Sequence, residues 1–261
     1  MLSPIDKYIL VLLGKPQSGW ISMENRTLNR IDFLHKLVTA KAHLQSITLI
    51  PGETTHIFFE EIAKKLLIDA SKLQESITLL SPYKEAGIYA NTYSVPLGIN
   101  EKNLVAFLVN QTNKKYEKIS KKIYGSYKIK QWNRILTIAS IIQKEAANNQ
   151  EMPLVSSVIY NRLKKNMRLQ MDGTLNYGKY SHTKITPHRI KNDTSHFNTY
   201  KYRGLPPYPI CAVSIDAIKS AIKPAKTDYL YFMKNSKGVH DFSTTYKKHR
   251  EFIKDAKSLQ K

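Results

Sequence analysis

The segment Trp132 to Ala147 contains neither glycine nor proline and repeats apolar residues three and four positions apart, which predicts an amphipathic helix. Such a helix needs an apolar surface to lie against. The composition supplies one: 42% of the 261 residues are hydrophobic, which excludes a disordered tail and fits one large domain or two ordinary ones. One residue of the helix is out of character. Glu145 shares its side of the helix with Ile138, Ile141 and Ile142. Apolar surroundings raise a carboxyl pKa, which is what a general acid working near neutral pH requires. On helix geometry alone, a helix-end glutamate that reaches water or pairs with a neighbouring lysine stands as the structural alternative.

Lysine and arginine number 41 against 20 aspartates and glutamates, a formal charge of +21, so a polyanionic or surface-bound partner is expected. The lone Cys211 excludes an internal disulfide and a cysteine-cluster metal site, and leaves cytosol and periplasm both open. The apolar run Tyr8–Leu13 is far below the ~20 residues of a membrane span and precedes no small-residue cleavage site, so a soluble chain without a targeting segment is expected. Being β-branched and leucine-rich, and stopping at Gly14-Lys15-Pro16, the run predicts a short buried strand. No phosphate-binding glycine loop, dinucleotide fingerprint, Gly-x-Ser-x-Gly elbow or His-Glu-x-x-His helix occurs. His182, His188 and His196 match no zinc spacing, so no metal is expected.

Asn29–Val38 predicts a helix and Ser46–Ile50 a strand ending at Pro51-Gly52. A second helix follows, capped by Thr54 or Thr55, with Ile57, Phe58, Ile62 and Leu66 as its stripe through Ile68. This is a small α+β unit without a catalytic cluster, a packing or binding module. The turn-rich stretches Glu85–Tyr93 and Val95–Gly98 suggest a boundary, giving residues 1–95 and 96–261 as two units. A helix begins near Glu101 and continues toward Gly125, with the lysines from Lys114 to Lys122 as a solvated face. Pro153 opens another helix over Leu154–Leu163.

Met167–Asp172 alternates strictly and predicts a strand with Met167, Leu169 and Met171 on one face and Arg168, Gln170 and Asp172 on the other, ended by Gly173. Beside Glu145, Gln170 and Asp172 would suit a carbohydrate cleft, and a half-exposed strand with a polar face is the ordinary alternative. Phe197–Tyr200 and Gly204–Ile210 form a rigid Pro- and aromatic-rich loop. Tyr229–Met233 and His240–Ser243 read as strands around the turn Asn235–Gly238, before a final helix carrying His249.

Ala139-Ser-Ile-Ile-Gln-Lys-Glu145, Val155-Ser-Ser-Val-Ile-Tyr-Asn-Arg-Leu163, Leu169-Gln-Met-Asp-Gly-Thr174, Asn198-Thr-Tyr200, Gly204-Leu-Pro-Pro207, Tyr231-Phe232 and His240-Asp-Phe-Ser243 occur in this order. Together they closely resemble the endolytic murein transglycosylase (MltG, YceG-like) family. Ile50-Pro-Gly-Glu-Thr54 looks like the family's strand-to-helix turn. The resemblance implies an α+β fold, with a small LysM-like N-terminal subdomain followed by a mixed α+β catalytic domain. It implies a lyase that cuts the β-1,4 bond between N-acetylmuramic acid and N-acetylglucosamine inside glycan strands and leaves 1,6-anhydro ends, with no cofactor. Where the family often carries two glutamates separated by one residue, this chain has Gln143 and Glu145, so the resemblance selects Glu145 as the catalytic acid/base. Glu151, Asn161, Gln170, Asp172, Asn198, Tyr200 and His240 match recurring positions and are expected to position substrate or support the cleft. The partners implied are peptidoglycan strands and peptidoglycan synthases, not nucleic acid. The implied location is the cell inner membrane, with the catalytic part facing the periplasm, although the spanning helix usual at the family's start is not seen here. Phe197 stands where a tyrosine is common, and Cys211-Ala-Val-Ser214 replaces the usual Asn-Pro-Gly. A non-catalytic peptidoglycan-binding module and a basic nucleic-acid-binding protein are the competing readings. A pyridoxal-phosphate lyase lacks a phosphate cup to accompany it.

Overall fold

A computed structural model of the protein describes residues 3–14, 27–39 and 43–258. Helices α1 (Pro4–Leu13) and α2 (Arg30–Thr39) pack on each other. Tyr8–Leu13 is therefore helical rather than a strand. Ser3 and Asp6 form a capping box and Pro4 takes the first turn, so a helix is nucleated outside the apolar run that suggested a strand. Arg30 Nε donates to Asp6 at 2.7 Å and holds the pair together. Lys15 and Pro16, the expected strand end, lie outside the described residues.

Strand β1 (Leu44–Leu49) leads through the Ile50–Thr54 turn into α3 (Thr55–Leu66), then α4 (Ala70–Leu80) and β2 (Asn91–Pro96). Thr54 caps α3, accepting from the Ile57 N–H. Leu67, in left-handed backbone, closes it after Leu66, two residues short of the expected Ile68. β1 and β2 pair antiparallel, with Ile47 opposite Tyr93 and Leu49 opposite Asn91. The turn-rich stretch thus contains a strand. Ile47, Leu49, Phe58, Ile62, Leu73, Ile77 and Val95 form the core of this βααβ unit.

Helix α5 (Glu101–Tyr124), capped by Asn100 and closed by Gly125, belongs to two cores. Leu104, Val105 and Leu108 enter the first, and Tyr116 enters a second built by α6 (Ile129–Glu145), α7 (Met152–Lys164) and α9 (Ile215–Ile222). Trp132, Leu136, Ile138, Ile141, Val155, Val158 and Ile218 fill that second core. A short α8 (Pro187–Asn192) lies between α7 and α9, and the β3 (Tyr231–Lys234)–β4 (His240–Ser243) hairpin precedes α10 (Tyr246–Ser258). The architecture is mixed helix and small antiparallel sheets, as α+β anticipates.

Residues 167–171 are not a strand. Gln170 has left-handed backbone at φ 49°, its N–H is taken by the Thr199 carbonyl at 3.1 Å, and Asp172–Leu175 turns into 3-10 geometry. The alternation still sorts the side chains, because Leu169 and Met171 are buried while Arg168, Gln170 and Asp172 are exposed.

Candidate functional site

The last turn of α6 aims its polar residues at three different partners. Gln143 Oε1 accepts from the Ser214 N–H, the N-cap of α9, at 3.1 Å. Lys144 Nζ donates to Ser181 Oγ at 3.1 Å. Glu145 Oε1 accepts from the Gly173 N–H at 2.7 Å, and no hydrogen bond to its Oε2 occurs among the described residues. Burial drives the Glu145 pKa from 4.5 up to about 7. The Gly173 hydrogen bond pulls it down, the Asp172 charge pushes it up and Arg162 pulls it down, in decreasing order. A carboxyl that titrates near neutrality can both give and take a proton.

Gly173 is required by close approach. A Cβ there would stand 2.6 Å from Lys144 Cβ and 2.9 Å from Glu145 Oε1, so any side chain displaces the carboxylate or the strand of chain that holds it.

Next to Glu145, the Tyr200 hydroxyl donates to Asp172 Oδ1 at 2.7 Å. Burial and then this bond to Asp172 raise the Tyr200 pKa, so the phenol stays protonated and available as a donor. Thr199 organises the same wall: its carbonyl receives Gln170 N–H, and its hydroxyl receives Met171 N–H at 3.1 Å and contacts Thr174 Oγ1 at 3.0 Å. Gln170 is exposed beside them. Arg162 is 7% exposed. It donates to the Leu230 carbonyl at 2.6 Å and to the Leu169 carbonyl, and its guanidinium lies 5.2 Å from the Tyr231 ring centroid. It fixes the chain leading into Gln170 and supplies the positive charge felt by Glu145.

The other expected residues are engaged in protein bonds. Glu151 accepts from the His240 N–H at 2.8 Å and from Ala147 N–H at 3.2 Å, and its Oε2 lies 2.7 Å from His240 Nδ1. Burial pushes its pKa up, but the His240 bonds and the Ala147 amide outweigh that and hold it low. Asn161 Nδ2 donates to the carbonyls of Thr227 and Tyr229 at 2.7 and 3.0 Å, tying α7 to the segment entering β3. Asn198, fully buried, donates to the Ile190 and Asp193 carbonyls at 2.8 Å and accepts from Tyr200 N–H. It orients the loop that presents Tyr200.

Gly173, Thr199 and Arg162 were not singled out individually by sequence reasoning. The tight Asp172-Gly173 turn after an alternating run was the available signal for Gly173. Buried Cys211 has its thiol pKa raised by burial and accordingly is not a nucleophile. The preceding turn reaches this region as well: Gly52 N–H donates to the Ala212 carbonyl and Ala212 N–H to the Glu53 carbonyl, both at 2.8 Å. Glu53 Oε2 lies 2.7 Å from His182 Nε2. Among the described residues no group of three or more histidine, cysteine or acidic side chains is arranged to hold a metal, and no helix is long and apolar enough to cross a membrane.

The end of α6 thus brings together a carboxyl raised toward neutrality, a glycine amide and an Asp–Tyr pair. The sequence profile of the YceG-like family matches residues 8–255, and the chain belongs to that family. It is 40% identical over 119 residues to the endolytic murein transglycosylase of Bacillus subtilis (strain 168), covering 46% of this chain and 33% of that protein. It is 31% identical over 196 residues to the endolytic murein transglycosylase of Streptococcus pneumoniae serotype 2 (strain D39 / NCTC 7466), covering 69% of this chain and 35% of that one. The chain thus spans about a third of the length of these curated relatives. The 2.6 Å crystal structure of a yceG-like protein from Listeria monocytogenes is similar with a TM-score of 0.64 and 28% identity, covering 86% of this chain and 81% of that one.

Proposed function

We propose that the protein is an endolytic peptidoglycan lytic transglycosylase in which Glu145 is the single acid/base. The observation that carries it is the Glu145 carboxyl raised to about 7 by burial while one oxygen is held by Gly173 N–H. The protonated acid gives its proton to the glycosidic oxygen between N-acetylmuramic acid and N-acetylglucosamine, and the C1–O bond breaks. The resulting carboxylate takes the proton of the muramyl C6 hydroxyl as that oxygen bonds to C1, so no water is consumed and no second carboxylate is needed. Attack within one ring also gains from proximity.

Gln170, Asp172 and Tyr200 are assigned to substrate positioning. Glu151, Asn161, Asn198 and His240 are assigned to support of the cleft, in line with their bonds to backbone. The β1–α3–α4–β2 order supports the LysM-like reading of the N-terminal unit, with the division from the catalytic unit near residue 95. Peptidoglycan strands are the substrate, peptidoglycan synthases are the partners, and the cell membrane facing the wall is the site of action. The kinship with endolytic murein transglycosylases supports the substrate.

Digestion of long, uncrosslinked glycan strands followed by liquid chromatography and mass spectrometry tests the proposal. Internal fragments ending in anhydro-muramyl residues, one water lighter than reducing ends, are expected. Reducing muramyl ends as the main product overturn the mechanism, and disaccharides alone overturn the endolytic assignment.

A further inference from the structure

A groove of about 720 Å³ runs between β2 and α5, and none of the residues assigned above lines it. One wall is made by Asn91, Thr92, Tyr93 and Ser94 in succession. Among the described residues β2 pairs only with β1, so this wall is a strand edge without a neighbouring strand, the kind of edge that accepts an extended peptide.

The opposite wall is basic. Lys114, Lys115 and Lys118 project from one side of α5, with Lys114 and Lys118 one helical turn apart. None of the three takes part in an ion pair among the described residues. The neighbouring acids are already engaged, Glu117 with Lys121 at 2.7 Å and Asp216 with Lys219 at 3.3 Å and Asn149 at 3.3 Å. Lys115 Nζ is held 3.7 Å from the Tyr89 ring centroid, and burial lowers its pKa. Three neighbouring like charges without counter-ions cost stability on a helix face, and an anionic ligand offsets that cost.

The groove is also connected to the catalytic helix. Ile215, which opens α9, lines it, and the preceding Ser214 N–H is the one bonded to Gln143, two residues before Glu145.

We propose that this groove binds a carboxylate-bearing peptide in extended form, the stem peptide attached to the glycan being cut, with Lys114, Lys115 and Lys118 reading its carboxylates and the β2 edge its backbone. The choice of stem peptide over another acidic peptide rests on the peptidoglycan reading above. Because the groove adjoins α9 at Ile215 and none of the residues around Glu145 line it, it sets which strands are cut rather than how they are cut.

Two measurements separate the groove from the chemistry. In the first, a soluble muramyl peptide with free carboxylates is titrated into the full chain, followed by NMR or calorimetry, beside the same peptide with its carboxylates amidated. Salt-sensitive binding of the free form is expected, weakened about tenfold in the triple variant Lys114→Gln/Lys115→Gln/Lys118→Gln and by amidation. Equal binding of the amidated form, or equal binding by a variant whose circular dichroism matches the parent, overturns the proposal.

In the second, parent and variant digest strands bearing stem peptides and strands stripped of them. The variant is expected to raise KM about tenfold on the first and leave the second unchanged. Equal effects on both overturn the proposal. If the parent cuts neither substrate, the transglycosylase assignment fails while the titration still decides the groove.

Discussion

Glu145 and Glu151 sit at the two ends of the short connection between α6 and α7, and the protein treats them oppositely. Among the described residues Glu145 has one hydrogen bond, from Gly173 N–H, and burial carries its pKa up to about 7. Glu151 is the less exposed of the two, at 7% exposure, yet two N–H groups and the His240 ring hold it low. Burial alone does not set the ionisation of a carboxyl. The number of donors aimed at it decides whether desolvation prevails. An under-satisfied carboxyl suits proton transfer, whereas a fully satisfied one suits holding a turn.

The sharpest way to break the comparison is to remove the proton from the first member. Glu145→Gln keeps the shape and the Gly173 bond but cannot donate and recover a proton. Lytic activity is expected to fall ~10²–10⁴-fold, more where both steps depend on it, with an unchanged circular dichroism spectrum. Wild-type turnover by the folded variant refutes the assignment. In the parent the alkaline limb of the rate follows the same group, so rates should decline as pH rises above about 7.

Displacing the carboxylate without altering its chemistry should cost less. In Gly173→Ala, the new methyl meets Lys144 Cβ and Glu145 Oε1 at distances no real Cβ tolerates. A loss of about 10²-fold in kcat is expected from a misplaced acid. Assays of purified, folded variant on uncrosslinked strands check it, and activity within threefold of the parent would show that Gly173 does not set the position of Glu145.

The second member should respond in stability. Glu151→Ala leaves His240 and the Ala147 amide without their partner in a buried place, so a loss of about 2–3 kcal/mol is expected. Urea unfolding measures it. A loss under ~0.5 kcal/mol would place Glu151 among groups that water satisfies equally well.

The sequence makes the first member of this pair legible but not the contrast itself, and the illegible part has physical causes. The helix ending at Glu145 and its isoleucine stripe follow from periodicity, and family motifs single out the residue. Opposite fates for Glu145 and Glu151 do not follow, because the donors come from Gly173 and His240, far along the chain. Tyr8–Leu13 reads as a strand yet is helical, because a short apolar run suits both and the deciding cap at Ser3–Asp6 lies outside it. At Met167–Asp172 the alternation correctly sorted buried from exposed side chains, but left-handed Gln170 and the pull of Thr199 on the backbone prevented a strand. Helix α4 escaped notice because only Leu73 and Ile77 mark its buried side.

The smallest effect is the pH dependence of stability, where the two glutamates should have opposite signs. Glu145 has a folded pKa of about 7 against an ordinary 4.5, so between these values the native state holds a proton that the unfolded chain has released. Stability therefore falls as pH rises from about 4.5 to 7 and is flat outside that window. Each unit is about 1.4 kcal/mol, giving at most about 3 kcal/mol, and about 1–2 kcal/mol once solvent at this partly exposed group is allowed for. Glu151, held low, contributes stability that is present above its ordinary pKa and is lost as pH falls through the lower folded value. Glu145→Gln should consequently match the parent below pH 4.5 and exceed it by about 1–2 kcal/mol at pH 8, while Glu151→Gln should show its deficit at pH 8 and lose it in acid. Urea unfolding across pH 2 to 8 measures both. If Glu145→Gln shows no gain at pH 8, then water or bound solute already satisfies that carboxylate, and the opposition between the two glutamates is weaker than their hydrogen bonds indicate.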